Sequence, residues 1–359
     1  MKPLMKHEIK RIWGVILLIL ATSIGVGLRL NLEETTRFTR YIRGTVSQET
    51  QFVSILSEHY GTYLMLSLAC LVVLVYFQFS EDKSSGTGDF IASLPYTQKQ
   101  GYKTKLMVGI GSITLGWSVY VAGVYLIYRR AAEWIKPLQS SSAAYSYLKQ
   151  EESFMRIMCS LVSLLAVMVV FYLILVVVQY ALYNTLGGIG ISLCGFLAIP
   201  YILLVGQEYI ERWMGYEVFI NQGEKILEVI GRMAFPYISK DLILVDQKGI
   251  DYEYMYYTGL HSQWVLQLIT LIGVGIALVC LGKWLSEAYG LRGRKTFMVN
   301  TAIESIFIGA VTVCSALLPY GFYLIGVVGS WSLIGDSIMF VTGGIGCFIA
   351  CKIIKKESV

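Results

Sequence analysis

Apolar residues along this chain come in long blocks, not in the alternation of a half-buried strand or the seven-residue seam of a coiled coil. Runs of roughly 20 apolar residues suffice for a helix to cross a hydrocarbon layer about 30 Å thick. The blocks predict eight spans, over 12–30, 59–79, 106–128, 157–182, 187–206, 263–285, 299–325 and 333–352. The expected fold class is therefore all-α: a polytopic membrane helix bundle of about eight transmembrane helices in one membrane domain, residues 1–359. Only "YNTL" separates the fourth and fifth spans, and only "GVVGSWS" the seventh and eighth. The fifth holds Gly190, Gly195 and Pro200. It is expected either as a helix whose freed backbone groups its neighbours satisfy, or as a broken segment within a six-span core.

Composition agrees with this pattern. The 359 residues are 55% hydrophobic and 15% charged, whereas a soluble domain carries about 25% charge. The first block follows "MKPLMKHEIKR" and is followed by "LRLNLEETTR". It is longer than the apolar core of a secretory signal and shows no small-x-small cleavage site, so it reads as an uncleaved first span. Leu4, Met5, Ile9, Ile12 and Trp13 fall near one helical face, predicting an elbow that lies along the inner interface before the chain enters the bilayer.

The net charge of +5 raises a nucleic-acid reading, but no basic face with interleaved aromatics supports it. The charge orients the protein instead. With the N-terminus inside, the inner loops hold fifteen of the 29 lysines and arginines. These are Lys2, Lys6, Lys10 and Arg11, then Lys83, Lys99, Lys103 and Lys105, then Lys283, Arg292, Arg294 and Lys295, and finally Lys352, Lys355 and Lys356. Six acids accompany them, against sixteen in the longer outer loops. Both termini are expected in the cytoplasm. The outer segments are 31–58, 129–156 and 207–262. The longest contains "EYIERWMGYEVF" and "EKILEVIGRMAF", both with apolar residues at helical spacing, and predicts a small extracellular cap. Its "DYEYMYYTGL" fits the aromatic belt of a membrane interface.

Catalytic chemistry finds little support. "EESFMR" matches the glutamate pair and arginine of intramembrane prenyl-protein proteases. Such an enzyme needs histidines deep in neighbouring helices, and none of His7, His59 and His261 sits in the middle of a span. "GIGSIT" and "GGIGIS" lie inside apolar blocks, and there is no G-x-x-x-x-G-K-[ST], so ATP hydrolysis by this chain alone is not expected. Seven cysteines without a C-x-x-C pair read as small buried apolar residues, not as a disulfide frame or metal site. No cofactor is implied. Glu304, just inside the seventh span, is a candidate for a transport pathway; the simpler reading pairs it with Arg294 or Lys295 at the inner interface.

The segment 80–105, between the second and third spans, differs from the other inner loops. Thr87 can cap a short helix with Asp89 in its first turn. Phe90, Ile91 and Leu94 give that helix an apolar face, and Pro95 ends it, since the residue before a proline avoids helical geometry. Lys99 and Lys105 follow.

In these features the chain resembles the membrane subunits of ATP-binding-cassette (ABC) transporters of the type-2 permease class. Members often carry an acid, then Gly-Thr, an apolar stretch closing in Leu-Pro, a basic residue, and a lysine where the next span begins. Here these are Glu81 and Asp82, Gly86-Thr87, Phe90-Ile91, Leu94-Pro95, Lys99 and Lys105. A Ser-Glu-x-x-Gly after a later span is matched by Ser286, Glu287 and Gly290, and the basic end Lys352 to Lys356 is similar too. Two departures are Gln98, where the family often has arginine, and Gly101, which interrupts the expected second helical turn.

The resemblance implies a permease subunit that pairs with a second one, identical or related. It also implies docking of a separate cytoplasmic ABC ATPase on the 86–105 segment, and a multi-pass position in a cell membrane, for this class a bacterial plasma membrane. Export of a hydrophobic or amphipathic compound follows from the class and from a pathway poor in charge. Two other classes also fit a chain of this pattern. One is a sensor or immunity protein that captures a ligand with its outer cap, the other an ion-coupled carrier.

Overall fold

The computed structural model describes residues 2–44, 52–83, 97–140, 154–214, 238–246, 252–260, 264–288, 301–324 and 333–357. Among them are eight helices: α1 (Lys2–Ile42), α2 (Phe52–Phe79), α3 (Gln98–Ser140), α4 (Phe154–Ala181), α5 (Thr185–Met214), α6 (Trp264–Ala288), α7 (Thr301–Leu324) and α8 (Leu333–Glu357). Seven contain a stretch long and apolar enough to cross a membrane. The remaining one, α5, is 30 residues long; its apolar stretch among the described residues is Thr185–Ala198. It runs unbroken through Gly190, Gly195 and Pro200. The chain is thus a multi-pass helical membrane protein.

Several helices outrun the apolar blocks that predicted them. α1 has 41 residues and α3 has 43. At 1.5 Å per residue each is about 60 Å long, twice the hydrocarbon thickness. α1 is continuous from Lys2, so the residues of the expected elbow form the first turns of one long helix. α3 begins eight residues before its apolar block because Thr97 and Gln100 form a capping box. The Gln100 amide donates to the Thr97 hydroxyl at 3.3 Å, and the Thr97 amide donates to the Gln100 side chain at 3.1 Å. Gly101 lies inside this helix and does not interrupt it. The tight turn before α5 is built on Asn184, whose side-chain oxygen accepts the amides of Leu186 and Gly187.

The segment 207–262, expected outside, contains both helix and strand. "EYIERWM" continues α5, and "EKILEVIGRMAF" lies outside the described residues. The tyrosine-rich stretch is a strand, β2 (Tyr252–Leu260). It pairs antiparallel with β1 (Ile238–Asp246), from Ile238 opposite Leu260 to Asp246 opposite Tyr252. Aromatic and β-branched residues favour this pleated pairing.

The backbone groups into two compact units. The first holds Met1–Leu74, Thr104–Tyr172 and Phe235–Gly275; the second holds Val75–Lys103, Leu173–Ala234 and Ile276–Val359. In the first unit α1 and α3 run parallel. Glu8 meets Lys105 and Glu34 meets Arg130, so the register is kept over 26 residues of α1. α4 runs antiparallel to α3. The Tyr172 hydroxyl donates to the Lys105 carbonyl at 2.9 Å, and the Trp117 indole donates to the Leu161 carbonyl at 2.8 Å. Gly109 makes the first contact possible, because a Cβ there would occupy the space of the Tyr172 phenol. Tyr63 of α2 and Tyr120 of α3 are stacked with centroids 3.8 Å apart.

Charge closes this unit at both ends of the α1–α3 pair. Glu8, 4% exposed, accepts from Arg11 at 2.6 Å and from Lys105 at 2.7 Å. Glu34, fully buried, pairs with Arg130 and accepts the Trp134 indole at 3.0 Å. Nearby, His59 meets Glu33 at 2.6 Å.

In the second unit α7 and α8 pack together and α5 packs against α7. Leu182 and Ile354 are buried, with the partly buried Ile191, Ile303 and Phe307 packed against them. Val205, Leu317, Tyr320 and Met339 form a second apolar cluster. Beside that cluster, the Tyr209 hydroxyl donates to Asp336 at 3.4 Å.

Candidate functional site

The candidate site lies in the second unit, around the two ends of the segment between α2 and α3. The cap and apolar face predicted there, Thr87, Asp89, Phe90, Ile91, Leu94 and Pro95, lie outside the described residues, as does Gly290. The flanking residues show what holds this segment.

On the entering side, α2 ends at Phe79 and a short turn carries Lys83. The Lys83 ammonium donates to the Gln179 side chain at 2.7 Å and to the Leu182 carbonyl at 2.9 Å, and it lies 5.8 Å from the Phe79 ring centroid. Leu182 follows the last turn of α4, where helix carbonyls lack partners and favour a cation. Gln179, fully buried, passes the connection on: its amide donates to the Thr185 carbonyl at 3.1 Å. One lysine thereby fastens the end of α2 to the α4–α5 turn.

On the leaving side, Tyr102 in the first turns of α3 is 3% exposed. Its hydroxyl donates to the Val279 carbonyl of α6 at 3.0 Å. Gly282 allows this approach, since a Cβ there would stand 2.5 Å from the Tyr102 hydroxyl. One turn further out Lys99 pairs with Glu287 at 3.3 Å, both largely exposed. Ser286 beside it is fully buried, and its hydroxyl donates to the Lys283 carbonyl at 2.8 Å. Two helix ends nearly 190 residues apart in the sequence, the start of α3 at Lys99 and the end of α6 at Glu287, thus adjoin.

The arrangement does not match every expectation. Lys105 is 5% exposed and committed to Glu8 within the first unit, so its ammonium is not offered to a partner's acids or to lipid phosphate. Burial forces this: a lysine taken out of water needs a counter-charge. Lys99 and Lys103 remain exposed. Glu304 lies half-buried in the first turn of α7, where an acid suits the helix N-terminus; its expected partners Arg294 and Lys295 are outside the described residues. Of the cysteines only Cys70 is buried, while Cys194 and Cys280 are exposed on helix surfaces, and none is paired in a disulfide. Among the described residues no group of histidine, cysteine and acidic side chains could hold a metal ion. Gln179, Tyr102 and Gly282 had no individual signal in the sequence.

No protein-family model matches the chain, and neither a curated protein nor a solved structure matches it.

Proposed function

We propose that this chain is the membrane-spanning permease subunit of an ABC transporter, docked by a separate cytoplasmic ATPase and exporting a hydrophobic or amphipathic compound. The resemblance in the two inner loops supplies the idea. The observation that carries it is the meeting of the helix ends that border those loops: Lys99 at the start of α3 lies against Glu287 at the end of α6. A docking partner at that place would touch both elements together. ATP binding would close a pair of ATPases, draw the docked segments together and shift the helices between inward- and outward-open states, which takes several kcal/mol of preference for one state. A second permease subunit completes such a pathway, and the exposed apolar helix faces meet lipid.

The test uses the full chain co-expressed with its ATPase, identified after purification by a G-x-x-x-x-G-K-[ST] sequence. The expected result is a stable complex with ATP-dependent transport. Phe90→Asp with Leu94→Asp is expected to abolish docking while the permease still folds. A complex that survives this double change would remove the coupling role from the segment. Transport that withstands ATP depletion but fails when the ion gradient collapses would replace the proposal with an ion-coupled carrier. Ligand retention by the outer segment without any ATPase would replace it with a sensor.

A further inference from the structure

We propose that three rings, Phe79, Tyr180 and Tyr102, form a mechanical relay joining the two fastenings of the 84–96 segment, with Gly282 as the seat that holds its last ring in place. All three rings are at most 3% exposed. Phe79 meets Tyr180 edge-on, with centroids 5.5 Å apart at 89°, and Tyr180 meets Tyr102 edge-on at 5.4 Å and 82°. The rings come from three helices, α2, α4 and α3. Edge-to-face pairs of this kind prefer a defined geometry, so displacing one ring strains the next.

The relay is bounded by polar anchors. Upstream, the Lys83 ammonium lies near the Phe79 ring and ties it to Gln179 and to the Leu182 carbonyl. Downstream, the Tyr102 hydroxyl is held by the Val279 carbonyl. Interiors packed this closely switch between discrete arrangements and do not deform smoothly. A pull on either end of the segment therefore reaches both the α4–α5 turn and the end of α6, and Tyr102, Tyr180 and Gly282 act as positioning residues. The inference rests on the permease reading only for what does the pulling; the coupling itself belongs to this chain.

The test is hydrogen–deuterium exchange on the full-length protein in lipid nanodiscs, read at residues 179–188. Gly282→Ala pushes on the Tyr102 ring, whose atoms are the three nearest that a Cβ there would meet. It is expected to speed exchange at 179–188 by about fivefold. Gly273→Ala, where a Cβ meets open space, is the control and is expected to change nothing. In a Tyr102→Ala background, adding Gly282→Ala should have no further effect, because the ring that carries the push is gone. Tyr102→Phe keeps the ring and is expected to leave 179–188 unchanged. The relay is overturned if Gly282→Ala matches Gly273→Ala at 179–188, or if its effect persists without Tyr102. Should Gly282→Ala not fold, the comparison of Tyr102→Ala with Tyr102→Phe decides, and equal exchange sinks the proposal. A relay that holds while no ATPase docks would leave this inference standing and remove the transport reading alone.

Discussion

Glu8→Gln is the substitution through which the architecture of the first unit is most exposed to test. Glu8 is the acid between two cations, with Arg11 at 2.6 Å and Lys105 at 2.7 Å, and it is 4% exposed. With an effective dielectric near 20, each charge pair at this separation is worth about 6 kcal/mol before desolvation is counted. Desolvation offsets most of that, so the pair contributes little net stability compared with a well-packed apolar alternative. Removing the acid alone is different. It leaves two buried cations facing a neutral amide, and breaking a buried pair from one side costs about 3–5 kcal/mol. Glutamine keeps the shape and can still accept one hydrogen bond, so a loss near 3 kcal/mol is expected. Lys105→Met removes one stranded cation, and in the double variant the two losses should fall short of additive by about 1–3 kcal/mol. The assay is equilibrium unfolding of the purified protein in mixed micelles by added sodium dodecyl sulfate. Lys99→Met is the exposed comparison, since the Lys99–Glu287 pair is 61% and 45% exposed and such pairs are worth about 0–1 kcal/mol. If Glu8→Gln costs no more than Lys99→Met, the buried triad does not hold α1 against α3.

Three further outcomes follow from particular contacts. Gly109→Ala should destabilise by about 1–3 kcal/mol through overpacking against Tyr172, and Tyr172→Phe should recover part of that loss by clearing the hydroxyl; both are read by thermal melting. Arg130→Met strands the fully buried Glu34 and should cost about 3–5 kcal/mol, whereas Arg130→Lys should cost less in the same melt. In a background with all seven cysteines replaced by serine, Lys99→Cys should resist a membrane-impermeant maleimide on intact cells and react after the cells are opened; labelling from outside would reverse the orientation.

The helices were legible in the sequence to the extent that apolar blocks mark them, and their ends were legible where local chemistry sets them. Thr97 and Gln100 spell a capping box, and Asn184 is a helix cap by type. The blocks hid the true lengths of α1 and α3, because residues beyond the hydrocarbon stay helical when a neighbouring helix supplies partners, as Arg130 and Trp134 do for Glu34. The hairpin was legible too. "ISKDLILVD" and "YEYMYYTGL" are both rich in strand-forming residues and flank a short glycine-containing connection, whereas the aromatic-belt reading gives the tyrosines an interfacial place and no secondary structure. What the sequence could not show is pairing at a distance. Tyr102 finds its acceptor 177 residues later, and no local pattern marks that.

Charge makes the same point more sharply. Counting lysines and arginines treats each as an orienting charge in water, yet several of those assigned to the inner side are committed within the fold. Arg11 and Lys105 hold Glu8, Lys83 holds the α4–α5 turn, and Lys99 meets Glu287. Lys6, Lys10 and Lys103 are exposed and can face headgroups. The two roles do not conflict, because a cation that caps a helix end or pairs with an acid near the inner boundary still resists crossing the bilayer. They do separate under mutation. Replacing Lys6 and Lys10 together with glutamine should weaken the orienting signal of the first span and leave the unfolding free energy within about 0.5 kcal/mol of wild type, since neither side chain is part of a buried contact. Replacing Lys83 with methionine should do the reverse. It should leave orientation intact, because fourteen other inner cations remain, while the Leu182 carbonyl loses its donor and the α4–α5 turn loosens. An unfolding curve that moves for Lys6 and Lys10 but not for Lys83 would overturn this division between orienting and fastening charges.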